Sequence, residues 1–227
     1  MNDTGKQQDA LEPRLVRPDD LDPRIDWNRP IQAPGHMGVD FETRVDFRRL
    51  HRYRLARARE ALKNSECGAL LLFDVNNIRY VSSTKIGEWE RDKFCRFALL
   101  AGDSEPIVWD FGSAAYHHKL YCDWLEIDNC RAGMLGMRGT VPPSAGLMKS
   151  HSEEIMDILR QMGVADLPVG VDLAETAMFF ELQNAGMKMV DGQQIMLNAR
   201  EIKNVDEITL LNQAAAMVDG VYHMVYE

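Results

Sequence analysis

The stretch Gly68-Ala-Leu-Leu-Leu-Phe73 constrains this chain more than any other, because it is an apolar run of six with no polar alternation. A strand with one wet face alternates, so an unbroken run is expected where both faces of a sheet lie under other layers. The run ends in Asp74-Val-Asn-Asn77, whose short polar side chains can satisfy turn backbone locally, and restarts as Ile78-Arg-Tyr-Val-Ser82. The pattern predicts a buried strand, a turn and a second strand over 78–82.

The flanking sequence supplies covering layers. From Val45 to Lys63 there is neither Gly nor Pro, and Leu55, Ala58, Ala61 and Leu62 recur at helical spacing. That helix and its approach carry Arg44, Arg48, Arg49, Arg52, Arg54, Arg57 and Arg59. On a chain of net charge -9 they are read as a solvated face meeting carboxylates rather than a nucleic-acid surface, which would need a cationic balance. Cys95 to Leu100 and Pro106 to Asp110 read as two further strands of a meander around Gly102-Asp-Ser-Glu105. A helix over Ser113 to Leu120 and a Gly- and Pro-rich loop over Ala132 to Pro143 come next. That loop's glycine spacing is no dinucleotide fingerprint, since no strand ends before it and no helix opens from it.

Ser150 with Glu153 resembles a capping box ahead of the stripe Ile155, Ile158, Leu159 and Met162. A strand at Val169 to Asp172, a helix from Leu173 to Ala185 and a strand near Met187 to Val190 complete an α/β domain ending near residue 195. The last helix is expected to start at Asn204 as N-cap, with a seam of Ile208, Leu211, Ala215, Val218, Tyr222 and Val225 that calls for another layer. It has no stop signal before Glu227, which reads as the front part of something longer. Ahead of all this, residues 1–43 hold five of the nine prolines and read as an extended arm, with Trp27, Ile31 and Met37 as anchors if it wraps a partner. No leader and no apolar stretch of bilayer length is apparent, so the expectation is a cytoplasmic protein with no membrane and no nucleic-acid partner. Cys67, Cys95, Cys122 and Cys130 lack C-x-x-C spacing and read as reduced, mostly buried thiols.

Two motifs carry a resemblance. The run ending in Asn77-Ile-Arg-Tyr80 and followed by Ser82, Ser83 and Thr84 resembles the N-terminal domain of the creatinase, prolidase and Xaa-Pro aminopeptidase family, the pita-bread metalloenzymes. Arg200-Glu-Ile-Lys203-Asn-Val-Asp-Glu207-Ile208 is similar to the start of that family's catalytic domain. The resemblance implies an α/β fold, a creatinase-type N-terminal domain with a mixed sheet flanked by helices, followed by the first helix of a pita-bread catalytic domain. It implies three segments: an arm over 1–43, the N-terminal domain over 44–195, and the catalytic start over 196–227. It further implies a homodimer, a small-molecule or short-peptide substrate, and two divalent metal ions (Fe, Mn, Zn or Co) in the full-length enzyme. The family's ligands (two Asp, one His and two Glu) belong to the catalytic domain, and none matches a position here.

The residues themselves offer little catalytic machinery. No His-x-x-x-His or His-Glu-x-x-His is present, and His117-His118 with Cys122 is the nearest metal-like group. Neighbouring residues on a helix point about 100° apart, so a structural role is expected for that trio. No Gly-x-Ser-x-Gly elbow surrounds Ser82 and Ser83. Trp89 stands among polar residues between two strands, where an indole can offer a face to a cation or plug a seam. Arg96 can hold a substrate carboxylate or form an ordinary ion pair. The order of Asn77-Ile-Arg-Tyr80, hydroxyl cluster, Trp89, Phe94 and Arg96 resembles the dimethylsulfoniopropionate lyase branch, whose tryptophan lines the substrate pocket. The resemblance therefore implies Trp89 and Arg96 as substrate-binding residues and no catalytic residue in this chain. The activity expected first is that of a Xaa-Pro peptidase-like hydrolase, this chain giving dimer contacts and a wall of the site. The alternatives are a dimethylsulfoniopropionate lyase releasing dimethyl sulfide and acrylate, or a non-catalytic dimerisation or ligand-binding module.

Overall fold

A computed structural model describes residues 45–87, 95–134 and 142–226. The arm over 1–43, Trp89 and most of the Gly- and Pro-rich loop lie outside them. Among the described residues, 45–213 form one compact unit and 214–226 belong to a second.

The first unit is built on a six-stranded sheet of order β4-β3-β2-β1-β5-β6. Its strands are β1 (Ala69–Leu72), β2 (Phe97–Ala101), β3 (Ile107–Asp110), β4 (Cys130–Ala132), β5 (Val169–Val171) and β6 (Met189–Asp191). β1, β2 and β3 form the antiparallel meander that the sequence predicts. β4 adds in parallel to β3, and β5 and β6 add in parallel on the other side of β1, so the sheet is mixed. The helices are α1 (Phe47–Lys63), α2 (Val75–Ser82), α3 (Gly112–Tyr121), α4 (Leu147–Gln161), α5 (Thr176–Asn184), α6 (Gln193–Glu201) and α7 (Val205–Tyr226).

The apolar run is buried at every residue, and its side chains alternate between two cores. Leu71, Phe97, Leu99 and Trp109 meet Ile155 and Leu159 of α4 and Leu182 of α5 on one face. Leu70, Leu72, Ala98 and Leu100 meet Leu55, Ala58 and Leu62 of α1, Ile78 of α2 and Met196 of α6 on the other. Period-two alternation thus persists inside a run that looks uniform, because both faces are dry. Each buried leucine contributes about 1.5–3 kcal/mol over leaving it exposed. Phe97 and Trp109 face each other across β2 and β3 with rings stacked 4.9 Å apart.

Ile78 to Ser82 is not a second strand but most of α2. The reversal is local chemistry beside a tertiary cap. Asp74 accepts from Asn76 N and Asn77 N, and Asp172 after β5 accepts from Phe73 N at 2.7 Å and Asp74 N at 3.0 Å. With its first amides satisfied in this way, the segment winds into a helix despite its β-branched residues. α4 begins at Leu147 behind Gly146, so Ser150 lies inside the helix and caps nothing. β4 and α6 have no counterpart in the sequence reading; three and nine residues long, they are placed by packing rather than by pattern. Gly192 opens α6 close against β5: a Cβ there would meet the Gly170 carbonyl carbon at 2.6 Å. α7 starts as expected. Asn204 Oδ1 accepts from Glu207 N at 2.9 Å and Glu207 Oε2 accepts from Asn204 N at 3.3 Å, a reciprocal capping box.

Candidate functional site

One corner of the sheet gathers polar side chains from α2, β2, β3 and α3 into a wholly buried cluster. α2 ends at Ser82, and Ser83 turns the chain away in a left-handed conformation with φ of 53°. Two residues past the helix, Thr84 is 2% exposed, and Arg96, immediately before β2, is 0% exposed. Arg96 Nη2 donates to Thr84 O at 2.9 Å and to Thr84 Oγ1 at 2.7 Å. Arg96 Nη1 lies 3.4 Å from Asp110 Oδ2, at the end of β3. That same oxygen accepts His118 Nε2 from α3 at 2.6 Å. Cys122 Sγ then stands 3.7 Å from His118 Nδ1.

Counting protons gives this cluster a direction. A carboxylate only accepts, so Nε2 of His118 carries a hydrogen. Thr84 Oγ1 accepts from Arg96 and donates to Ser82 Oγ at 2.7 Å, and Ser82 Oγ donates to Ile78 O at 2.7 Å. Asp110 thus accepts from both His118 and Arg96, and Arg96 also donates to the Thr84–Ser82 hydroxyl pair that ends on Ile78 O. α1 reaches the same corner: His51 Nδ1 pairs with Ser83 Oγ at 3.0 Å, and Trp124 Nε1 donates to Ser82 O at 2.9 Å. Burial, the largest influence on His51, holds its imidazole below the ordinary histidine range.

Cys122, His118 and Asp110 are the residue types of a thiol nucleophile with its base and orienting carboxylate. The electrostatics oppose that use. Burial first, then Cys130, Asp123 and Asp110, push the Cys122 thiol up to about 11. The Cys122 thiol is therefore no activated nucleophile, and the trio fixes geometry. A metal fits no better: a guanidinium at Asp110 repels a cation, and among the described residues no three His, Cys, Asp or Glu side chains converge to hold one.

Of the two substrate-binding candidates, Trp89 lies outside the described residues. Arg96 is buried, with its Nη atoms turned to Thr84 and Asp110. The chain leaves this corner at Thr84 and returns at Arg96, so the Arg96–Thr84 hydrogen bonds tie together the two ends of the segment that contains Trp89. Thr84 is named in the sequence only as part of the hydroxyl cluster, and Asp110 is not singled out there. The only signal was a charged residue closing an otherwise apolar strand, and its partners lie 14 and 8 residues away in other elements.

The creatinase/prolidase N-terminal domain matches residues 54–202. This chain belongs to that family. The creatinase-type reading explains the layout: an antiparallel meander extended by parallel strands, with helices on both faces. Among curated proteins, dimethylsulfoniopropionate lyase DddP of Roseovarius nubinhibens is 23% identical over 179 residues, 74% of this chain. The lyase of the same name from Roseobacter denitrificans is 25% identical over 172 residues, 75% of this chain. The matched stretch spans only 38% of either relative's length. Among solved structures, a dipeptidase from Pyrococcus horikoshii OT3 superposes with a TM-score of 0.52 at 14% identity, covering 76% of this chain and 43% of that one. That likeness speaks for the fold. No helix among the described residues is long and apolar enough to cross a membrane.

Proposed function

We propose that this creatinase-type domain is the N-terminal portion of a metal-dependent pita-bread enzyme with Xaa-Pro peptidase-like hydrolase activity. In this reading residues 1–43 form an arm, 44–195 the domain, and 196–227 the start of the catalytic domain. The chain supplies homodimer contacts and a wall of the substrate site, and two divalent ions held by the catalytic domain activate the attacking water. The observation that carries the reading is the family match over 54–202, running up to the Arg200-to-Ile208 motif. Trp89 is the proposed substrate contact. Arg96 is proposed to serve that contact by closing the base of its segment on Thr84, since its guanidinium is itself buried.

A second reading, dimethylsulfoniopropionate lyase, is favoured by the curated relatives, both of which carry that name. A sulfonium cation over the Trp89 indole is the physical reason such a substrate would suit this wall. The experiment is turnover by the complete gene product loaded with Fe, Mn, Zn or Co. Release of an amino acid from a Xaa-Pro dipeptide supports the first reading, and release of dimethyl sulfide supports the second. Turnover of neither overturns both and leaves a binding module.

A further inference from the structure

A groove of about 820 Å³ runs between α1, α2, α6 and the first turns of α7, and no member of the buried cluster lines it. Its lining holds four cations, Arg54, Arg79, Arg200 and Lys203, against two carboxylates, Glu201 and Glu207. Glu207 is already taken: Arg54 Nε donates to its Oε1 at 2.8 Å, and the Arg54 guanidinium lies 5.4 Å from the centre of the Tyr80 ring. Several other arginines of this fold find carboxylates, as Arg48 does at Asp123, Arg49 at Asp206, Arg59 at Glu105 and Arg131 at Glu154. Arg79, Arg200 and Lys203 have no ion pair among the described residues, and Lys203 Nζ reaches only the Glu201 carbonyl, at 3.0 Å. On a chain of net charge -9, three cations left facing one concavity make a local reversal of sign.

We propose that this groove is a binding site for a small phosphoryl anion with at least two negative charges. Two guanidinium planes, from α2 and α6, offer the paired N–H donors that match phosphate oxygens, and the Lys203 ammonium adds a point charge. The amides of Asn76 and Gln194 at the rim can donate to a bridging or terminal oxygen. The site stands apart from the Arg96 corner and depends on neither proposed activity.

The test is titration calorimetry of the full 227-residue chain with pyrophosphate at low salt, with orthophosphate and citrate as comparison anions. Saturable one-to-one binding is expected, weaker for orthophosphate and weakened by added salt. The double substitution Arg79→Ala with Arg200→Ala should reduce affinity roughly a hundredfold, about tenfold for each guanidinium removed, while Arg160→Ala leaves it unchanged. Unaltered circular dichroism and melting of the double variant keep the result interpretable, because Arg79 is exposed and Arg200 only half-buried. Absence of saturable pyrophosphate binding, affinity unmoved by the double substitution, or citrate binding as tightly as pyrophosphate would each overturn the proposal.

Discussion

This protein uses arginine in two opposite ways, and the contrast separates what holds the fold from what decorates it. Along α1 the arginines grade from half-buried Arg54, Arg57 and Arg59 to the exposed start of the helix, where Arg48 pairs with Asp123 at 2.7 Å while their side chains are 75% and 65% exposed. Water screens such pairs, and a typical exposed pair contributes about 0–1 kcal/mol. At the sheet corner Arg96 and Asp110 are both 0% exposed. There each charge has lost its hydration, so the pair is worth little as a pair but is costly to break. Surface arginines are exchangeable parts, whereas Arg96 commits Thr84, Asp110 and His118 to one arrangement.

Breaking the buried side should give the largest effect. Asp110→Ala strands a desolvated guanidinium and removes the His118 partner, so urea unfolding should show a loss of about 3–5 kcal/mol. A loss below about 1 kcal/mol would place Arg96 in contact with water and erase the contrast. An intermediate effect is expected where α7 begins: Asn204→Ala deletes half of the capping box and should cost about 1 kcal/mol by the same measurement. At the exposed end, Arg48→Ala should change stability by less than about 0.5 kcal/mol, and a larger cost would mean the α1 rim is more than a solvated face.

Acidification probes both regions at once. His51 is held below its ordinary range by burial, so the unfolded chain binds its proton more readily than the folded one. The stability this gives is present above the unfolded pKa of about 6.5 and is lost as pH falls through the lower folded value. Asp206 is also held below the ordinary carboxylate range, chiefly by the Arg49 hydrogen bond, and its contribution is lost only when pH falls below about 4. Melting temperatures should therefore decline in two separate acid steps. His51→Gln should flatten the upper step and leave the lower one in place, and a variant that melts with an unchanged upper step would remove His51 from the account.

The sheet was legible because burial on two faces leaves a signature that local competition cannot hide. Leu70 to Leu72 could be placed inside on composition alone, and the family motifs at Asn77 and Arg200 agree with the fold that surrounds them. Ile78 to Ser82 misled, because the N-cap Asp74 reads equally well as a turn residue, and the carboxylate that holds the approach to it, Asp172 on the Phe73 and Asp74 amides, lies about a hundred residues onward. The carboxylates that meet the α1 arginines were anticipated as a class but not as individuals, since Asp123 and Asp206 reach α1 only through tertiary packing. The Arg96 corner was hidden for the same reason: its members come from four elements, and none is a chemical motif by itself. Trp89 was legible as an oddity, an indole in polar company, and its place in a substrate wall remains a proposal.

The account rests on a division of labour in which this domain shapes and supports a site whose ions are held by other residues. The most direct measurement is elemental analysis of the purified 227-residue chain after incubation with Fe, Mn, Zn or Co and removal of loosely bound ions. The prediction is no stoichiometric metal; two tightly held ions per chain would contradict it.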